Sequence, residues 1–328
     1  MIGQEGVFWY MLLNPRNLLK QIEDPGLGEK YQERNASRLI NKDGSFNVRK
    51  SGNGWSTRNT YQHLINMSWG WFFCLIISTY LFINLLFALG YVAIGMESLN
   101  GIPATVHFWQ DLSHAFYFSC QTFTTVGYGA ISPITQAASW LSSIESMSGL
   151  LYFALATGLL WGRFSRPQSR LMYSENMVVA PYREEDWAFM FRVANERSNV
   201  LMEMEATLML TWVEQTDTGL KRQYFNLDLE RNSIYFFPLN WTIVHPIDES
   251  SPLHGKSRED LNRLQTEFLI LIKGFDDTFS QTVHSRFSYI CDEIVWGARF
   301  VPAFKPNDRG QMELDFQKLH EYEKLAYP

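Results

Sequence analysis

Two long apolar runs dominate the hydrophobic pattern of this chain. Trp69–Ile94 reads WGWFFCLIISTYLFINLLFALGYVAI, and Ser139–Gly162 is interrupted by one acidic residue, Glu145, and by no basic one. A helix of about 20 apolar residues spans the hydrocarbon core of a bilayer, so both runs predict transmembrane helices. Asp111–Phe123 lies between them and is too short to cross. It is either a loop outside the membrane or a re-entrant helix surrounded by protein.

From residue 171 the pattern changes to short strands separated by turn residues. This spacing predicts an all-β sandwich, and Ser257–Arg263 predicts a short helix. The predicted strands are Met204–Val213, Ser233–Phe237, Trp241–His245 and Glu267–Lys273, and the predicted turns are Thr216–Gly219, Glu249–Pro252 and Gly274–Asp277.

Trp55–Met67, just before the first span, separates apolar from polar positions at helical spacing. The pattern favours a helix lying in the membrane interface over a plain extension of the span. Further upstream, the apolar run Val7–Leu13 follows no basic residue and precedes no small-residue cleavage site, so we expect no signal peptide.

The distribution of charge excludes an ordinary soluble protein. Residues 59–162 contain no Lys or Arg, although the whole chain has 28. The basic residues on both sides of this gap place the two termini in the cytoplasm and residues 95–138 outside. A net charge of −6 without a basic patch argues against nucleic acid as a partner.

No set of residues indicates an enzyme or an organic cofactor. The three cysteines form no CxxC pair and no disulfide framework. The histidines form no HExxH motif, and neither a P-loop nor a GxGxxG motif occurs. Asp276-Asp277 favours a turn over a metal site.

Thr124–Gly129, reading TTVGYG, matches the selectivity-filter loop of potassium channels. Carbonyl oxygens of such a loop replace the hydration shell of K⁺, and glycine permits the backbone angles that turn carbonyls to one side. The match predicts a filter at residues 125–129 in which Thr125, Val126, Gly127 and Tyr128 hold K⁺. Asp111–Phe123 then becomes a pore helix that Asp111 caps and whose C-terminal dipole favours a cation. A closed ring of carbonyls needs several copies, and this filter type implies four.

The second span has a line of residues suited to a pore. With Trp161 facing the pore and 100° per residue, Leu150, Ala154 and Thr157 fall on the same line and form the cavity lining. This line is apolar and aromatic, which suits a gate that closes by dewetting. Glu145 lies on the opposite side, where we expect it to be buried and hydrogen-bonded. Gly149 and Gly158 are either bending points or sites of close helix packing.

Four motifs carry a resemblance to a known family. They are Arg38–Val48 (RLINKDGSFNV), Gly162–Pro167 (GRFSRP), His245–Leu253 (HPIDESSPL) and Ser288–Gly297 (SYICDEIVWG). Together with the filter, the chain resembles the inward-rectifier potassium channels, most closely the prokaryotic KirBac type, over residues 36–322.

The resemblance implies an α+β membrane protein: two transmembrane helices with a re-entrant pore helix and filter, plus a cytoplasmic immunoglobulin-like β-sandwich. It divides the chain into a cytoplasmic N-terminal segment (1–54), an interfacial slide helix (55–67), a pore domain (68–170) and a cytoplasmic domain with a C-terminal tail (171–328). It implies a lipid-regulated, voltage-independent homotetramer in a cell membrane, here the bacterial inner membrane.

The resemblance also assigns roles to single positions. It places the gate on Trp161 and the rectification position on Phe153, where strong rectifiers carry an acid, so we expect weak block. It implies a cytoplasmic constriction at Gln281, Thr282, Val283 and His284. Gln168 and Ser169 stand where eukaryotic members have lysines, so activation by phosphatidylinositol bisphosphate is not implied. Binding of anionic membrane lipid stays open through Arg58, Arg163, Arg166 and Arg170.

Two departures from the family pattern keep alternatives open. Gln121 stands where many members have Glu in the pore helix, and Ala130 stands where prokaryotic relatives often have Asp. A filter with less bracing is consistent with a weakly selective cation channel. A membrane-anchored sensor that does not conduct ions is the alternative from another class.

Overall fold

The chain folds as two units in the computed structural model, which describes residues 21–28, 38–49, 60–103, 107–165, 170–183, 186–216 and 219–325. One unit is Ser51–Arg166, and the other combines Met1–Lys50 with Pro167–Pro328. Val7–Leu13 and residues 55–59 of the predicted interfacial helix lie outside the described residues.

A tight turn folds the N-terminal part of the second unit back on itself. The first strand, β1, is Gln21–Ile22, and further along Ile40 bridges to Phe46 around the turn at Asp43-Gly44. Gly44 has φ +78°, and a Cβ there would lie 2.7 Å from the Arg286 carbonyl oxygen. The turn therefore requires glycine both for its conformation and for its close approach to the sheet.

The unit Ser51–Arg166 is called the membrane unit below. Its described residues form four α-helices and one short strand pair. Two of the helices are long and apolar enough to cross a membrane. The elements are α1 (Thr60–Asn66), α2 (Trp69–Ile94), β2 (Leu99–Asn100), α3 (Phe108–Phe123), β3 (Ser132–Pro133) and α4 (Gln136–Phe164).

The start of α3 differs from the prediction. The helix begins at Phe108 and its N-cap residue is His107, so Asp111 does not cap it and instead lies in the first turn. Phe108 and Trp109 continue the helix because neither breaks it. Asp111 still complements the positive end of the helix dipole from inside the first turn. In α4, the Thr135 hydroxyl caps the helix by accepting from the Ala138 N–H at 3.3 Å.

The described residues of the second unit are rich in strands and contain one short α-helix. Its remaining elements are β4 (Leu171–Tyr173), β5 (Met177–Pro181), β6 (Trp187–Asn195), β7 (Leu201–Thr216), β8 (Gly219–Leu227), β9 (Ser233–Phe236), β10 (Asn240–Pro246), α5 (Arg258–Arg263), β11 (Glu267–Asp276), β12 (Gln281–Ile290), β13 (Ile294–Trp296), β14 (Ala298–Phe300), β15 (Phe304–Pro306), β16 (Met312–Leu314) and β17 (Tyr322–Lys324). One sheet has the order β1-β8-β7-β11-β12, with β9 also paired to β7. The other has the order β10-β6-β5-β13, with β4 also paired to β6.

Both sheets contribute alternate residues to a single apolar core. Across the sandwich, the rings of Phe189 and Phe268 lie 5.0 Å apart, and those of Tyr173 and Phe287 stack at 4.4 Å. Such inward-facing alternation on two packed sheets defines a β-sandwich. The predicted fold class is confirmed.

Two local predictions in this unit have opposite outcomes. The helix α5 forms as predicted, capped by Ser257 and Asp260. The predicted turn at Gly274–Asp277 is wrong, because β11 continues to Asp276 through a bulge between Lys273 and Phe275. A Cβ at position 274 would lie 2.1 Å from the Met204 sulfur, so this glycine serves close packing within the sheet.

Candidate ion-conduction site

The end of α3 anchors the loop that follows it. The N–H of Thr125 donates to the Thr122 carbonyl at 3.0 Å, and the N–H groups of Val126 and Gly127 donate to the Gln121 carbonyl at 2.9 and 3.3 Å. In a trans peptide the N–H and the preceding C=O point in opposite directions. The carbonyls of Thr124, Thr125 and Val126 therefore point away from the helix.

The backbone of the loop alternates in handedness. Thr125, Gly127 and Gly129 have φ of +59°, +52° and +79°, while Val126 and Tyr128 keep negative φ. Alternation of this kind aligns successive N–H groups on one side of the chain and so directs the carbonyls to the other. Glycine adopts positive φ readily, but a β-branched threonine does so rarely. Strain of that kind at Thr125 is typical of functional sites.

One chain leaves this loop uncovered. The side chains of Val126 and Tyr128 are 52% and 78% exposed, although both are apolar or aromatic. A single row of carbonyls surrounds an ion on one side only. The backbone conformation of the loop therefore forms within one chain, whereas a closed ring of carbonyls does not.

Glu145 is fully buried behind the loop. Tyr91 donates to one carboxyl oxygen at 2.7 Å, and Ser119 donates to the other. The prediction of a buried, hydrogen-bonded glutamate is confirmed. The hydrophobic pattern of the sequence did not identify the partners of Glu145. One sequence feature pointed to this cluster: Asn84, an amide residue within the apolar run of α2, bonds to Ser119.

Gly149 decides how closely α4 approaches α3. A Cβ at this position would lie 1.9 Å from the Phe123 carbonyl oxygen, whereas nothing lies within 4 Å of a Cβ at Gly158. Of the two roles left open for Gly149, the structure supports close packing. The contact is at the last residue of α3, directly before the loop.

The predicted pore-facing residues of α4 lie on exposed surface of the single chain. Leu150, Phe153, Ala154, Thr157 and Trp161 are all exposed, and Trp161 is 74% exposed. Phe153 also packs near the end of α3, with its ring centroid 6.3 Å from that of Phe123.

Arg163 contacts the end of α1. Its guanidinium donates to the carbonyls of Leu64, Ile65 and Met67 at 2.6 to 3.0 Å and lies 4.5 and 4.4 Å from the ring centroids of Trp69 and Phe72. These contacts occupy much of its donor capacity. Among the other predicted lipid-binding residues, Arg170 is exposed, and Arg58 and Arg166 lie outside the described residues, as do Gln168 and Ser169.

The predicted cytoplasmic constriction falls at the start of β12. Gln281, Thr282 and His284 are exposed, while Val283 is buried and belongs to the sandwich core. Val283 therefore cannot line a passage with its side chain. Nearby, Asp276 ends β11 and accepts the N–H groups of Thr278 and Phe279 and the Asn199 amide. The turn that its carboxyl group holds is therefore 277–280, later than the predicted one. Within the described part of the chain, no group of His, Cys, Asp and Glu is arranged to hold a metal ion.

Comparisons with known proteins agree with this architecture. Residues 171–328 match the family model described as the inward rectifier potassium channel C-terminal domain, and residues 72–165 match the one described as ion channel. The inward rectifier potassium channel Kirbac3.1 of Paramagnetospirillum magnetotacticum is 38% identical over 288 residues, which cover 87% of this chain and 95% of that protein. The chain belongs to the inward-rectifier potassium channel family.

More distant members of this family are human. ATP-sensitive inward rectifier potassium channel 14 is 29% identical over 88% of this chain and 70% of its own length. ATP-sensitive inward rectifier potassium channel 12 is 31% identical over 65% of this chain and 52% of its own length. The family is one of ion channels rather than of enzymes.

Proposed function

We propose that this protein conducts K⁺ passively across a membrane. The single observation that supports the proposal most is the alternating handedness of residues 125–129. The N–H groups of Thr125 to Gly127 are bonded to α3, and the carbonyls of Thr124 to Val126 point away from it. Carbonyls of Thr125, Val126, Gly127 and Tyr128, with the Thr125 hydroxyl, replace the hydration shell of the permeant ion. No chemical bond forms or breaks, and no organic cofactor takes part.

The coordination shell is completed by four copies of the chain around one axis. One copy supplies one row of carbonyls, and a closed cyclic assembly turns that row into rings. The asymmetry of Lys and Arg supports a multi-pass chain with both termini in the cytoplasm, in a bacterial inner membrane. The proposal keeps the division of the chain into segments 1–54, 55–67, 68–170 and 171–328.

The path below the filter follows α4. Leu150, Ala154 and Thr157 line a cavity, Phe153 occupies the rectification position, and a ring of Trp161 side chains closes the pore by dewetting. Gln281, Thr282 and His284 form the cytoplasmic constriction. Phe153 carries no charge, so it holds no blocking cation and rectification is weak.

Anionic membrane lipid is a partner of this channel in our proposal. Arg170 and, from the sequence, Arg58 and Arg166 supply the positive charge. Arg163 contributes less, because its guanidinium is engaged by the carbonyls at the end of α1.

Flux of Rb⁺ into liposomes that contain the purified protein tests the proposal. We expect slow flux that Ba²⁺ blocks, and a severalfold increase in Trp161→Ala, because removal of the indole ring opens the constriction. Leu155→Ala is the matched control: Leu155 is 70% exposed on the same helix but lies about 120° from Trp161.

The outcomes separate the alternatives. A reversal potential that does not shift towards the K⁺ equilibrium potential in a K⁺/Na⁺ gradient would favour a weakly selective cation channel. Absence of flux in both the wild type and Trp161→Ala would favour a membrane-anchored sensor. Equal increases in Trp161→Ala and Leu155→Ala would contradict the gate assignment.

A further inference from the structure

Four buried polar residues connect the three large helices of the membrane unit behind the filter. They are Asn84 and Tyr91 of α2, Ser119 of α3 and Glu145 of α4, and none has any exposed surface. Glu145 accepts from Tyr91 at 2.7 Å and from Ser119. The Ser119 hydroxyl also lies 3.0 Å from both the carbonyl and the side-chain oxygen of Asn84.

This cluster bears directly on the anchor of the filter. Ser119 precedes Gln121 by two residues on α3, and the Gln121 carbonyl accepts the N–H groups of Val126 and Gly127. One turn along α4 from Glu145, Gly149 contacts the Phe123 carbonyl. The depth and rotation of α3 are therefore held at two points, and the carbonyl that holds the filter lies between them.

The cluster is more than a favourable buried contact. An ionisable side chain inside a membrane protein is costly unless its oxygens are satisfied, and apolar packing would connect the same helices without that cost. Hydrogen bonds are directional, so bonds from two helices to one carboxyl group fix the relative position of the helices more narrowly than apolar contact does. Such precision is of use where a small shift of α3 changes the spacing of the filter carbonyls.

We propose that Glu145 is a positioning residue for ion selectivity, which acts through Ser119 on the Gln121 carbonyl. This inference rests on the proposed function, since it needs a filter that binds K⁺. Gln121 of α3 is neutral and cannot support the filter by charge. In this inference Glu145 of α4 supports the filter instead.

The test compares Glu145→Gln and Ser119→Ala with Ser113→Ala. Ser113 is the matched control, because it lies on the same helix and its hydroxyl bonds the Gln110 carbonyl of that helix. Two quantities are measured on the full-length protein: the K⁺/Na⁺ permeability ratio in liposomes, and the K⁺ concentration that half-protects the assembled protein against thermal dissociation in a Na⁺ background. The second quantity reports K⁺ binding without requiring conduction.

We expect both Glu145→Gln and Ser119→Ala to lower the permeability ratio and raise the protective K⁺ concentration by about tenfold, the order expected for the loss of one buried hydrogen bond. The double variant should be no worse than either single variant, because both changes break the same connection. Ser113→Ala should behave as the wild type.

A loss of thermal stability with an unchanged permeability ratio and an unchanged K⁺ requirement would overturn the inference and leave Glu145 a packing group. If Glu145→Gln does not assemble, Ser119→Ala decides alone. A wild type that shows K⁺-specific protection without conduction would contradict the proposed function and leave this test intact. A wild type without K⁺-specific protection would overturn the inference, since there would be no K⁺-binding filter to position.

Discussion

At the scale of the residue, two glutamates hold the N-terminal segment 38–42 on the sandwich. Glu293 accepts from Arg38 at 2.6 Å and pairs with Lys42 at 2.8 Å. Glu267 accepts the N–H groups of Leu39 and Ile40. Burial raises the pKa of Glu267, and its hydrogen bonds from the backbone and from Ser288 only partly offset that rise.

The pKa of Glu293 is shifted in the other direction. Burial alone would raise it, but the hydrogen bonds from Lys42, Arg38 and the Ile290 N–H together outweigh burial and hold the pKa below the ordinary value of 4.5. The folded state therefore binds this proton less readily than the unfolded state does. The contribution of Glu293 is fully present above pH 4.5 and is lost as the pH falls below that value.

Glu293→Gln should lower the free energy of unfolding at neutral pH by about 2 kcal/mol, a size typical of lost hydrogen bonds to a charged group. The deficit should shrink as the pH falls below 4.5, because the wild type then loses the same charge. Thermal unfolding as a function of pH measures this change, and the rate of tryptic cleavage at Lys42 reports the segment itself.

Glu313→Gln is the control for this variant, since Glu313 is an exposed glutamate on β16. We expect it to leave both readouts unchanged. A deficit in Glu293→Gln that stays constant between pH 7 and pH 4 would exclude the ion pairs as its origin.

At the scale of the element, the contact between α3 and α4 depends on one missing side chain. The Phe123 carbonyl occupies the place that a Cβ at position 149 would take. Phe123 is also enclosed by the rings of Tyr80 and Tyr152, with centroids 5.7 and 5.6 Å away. The end of the pore helix is thus fixed by packing on both spans.

Gly149→Ala should destabilise the membrane unit by about 1–3 kcal/mol, the usual cost of overpacking, and should reduce K⁺-specific Rb⁺ flux because the end of α3 must move. Gly158→Ala should be neutral or slightly stabilising, because its Cβ meets nothing within 4 Å and alanine favours helix. Thermal dissociation and liposome flux check both variants. Equal loss in the two variants would indicate a need for helix bending rather than close packing.

At the scale of the whole molecule, the absence of Lys and Arg from residues 59–162 matches the unit that contains α1 to α4 and the filter loop. The acidic remainder folds separately as the sandwich. A cation path gains from this division, because no basic side chain in the gap opposes the ion and the net negative charge attracts cations.

Co-expression with Gly127→Ala subunits tests the number of chains in one pore. Alanine at φ +52° should spoil the filter of every assembly that contains it. An equal mixture should then retain ~6% of the wild-type flux if four chains share one path, against about half if each chain conducted alone. Mixing with Gly158→Ala subunits controls for expression, and flux near one half would contradict a shared filter.

Local patterns in the sequence determined much of this protein. Span length, the gap in basic residues, the filter loop, the sandwich class and the helix α5 all depend on near neighbours in the chain, so they could be predicted. The burial of Glu145 also followed from helical phase alone.

Only the tertiary structure decided which groups meet. It placed Ser119 and Tyr91 on Glu145, the Phe123 carbonyl on Gly149, Arg163 on the end of α1, and Val283 in the core. It also gave Thr125 the left-handed conformation that threonine alone would not adopt. These features join residues far apart in the chain, and close packing rather than propensity selects them, so a sequence pattern limits the candidates without choosing among them.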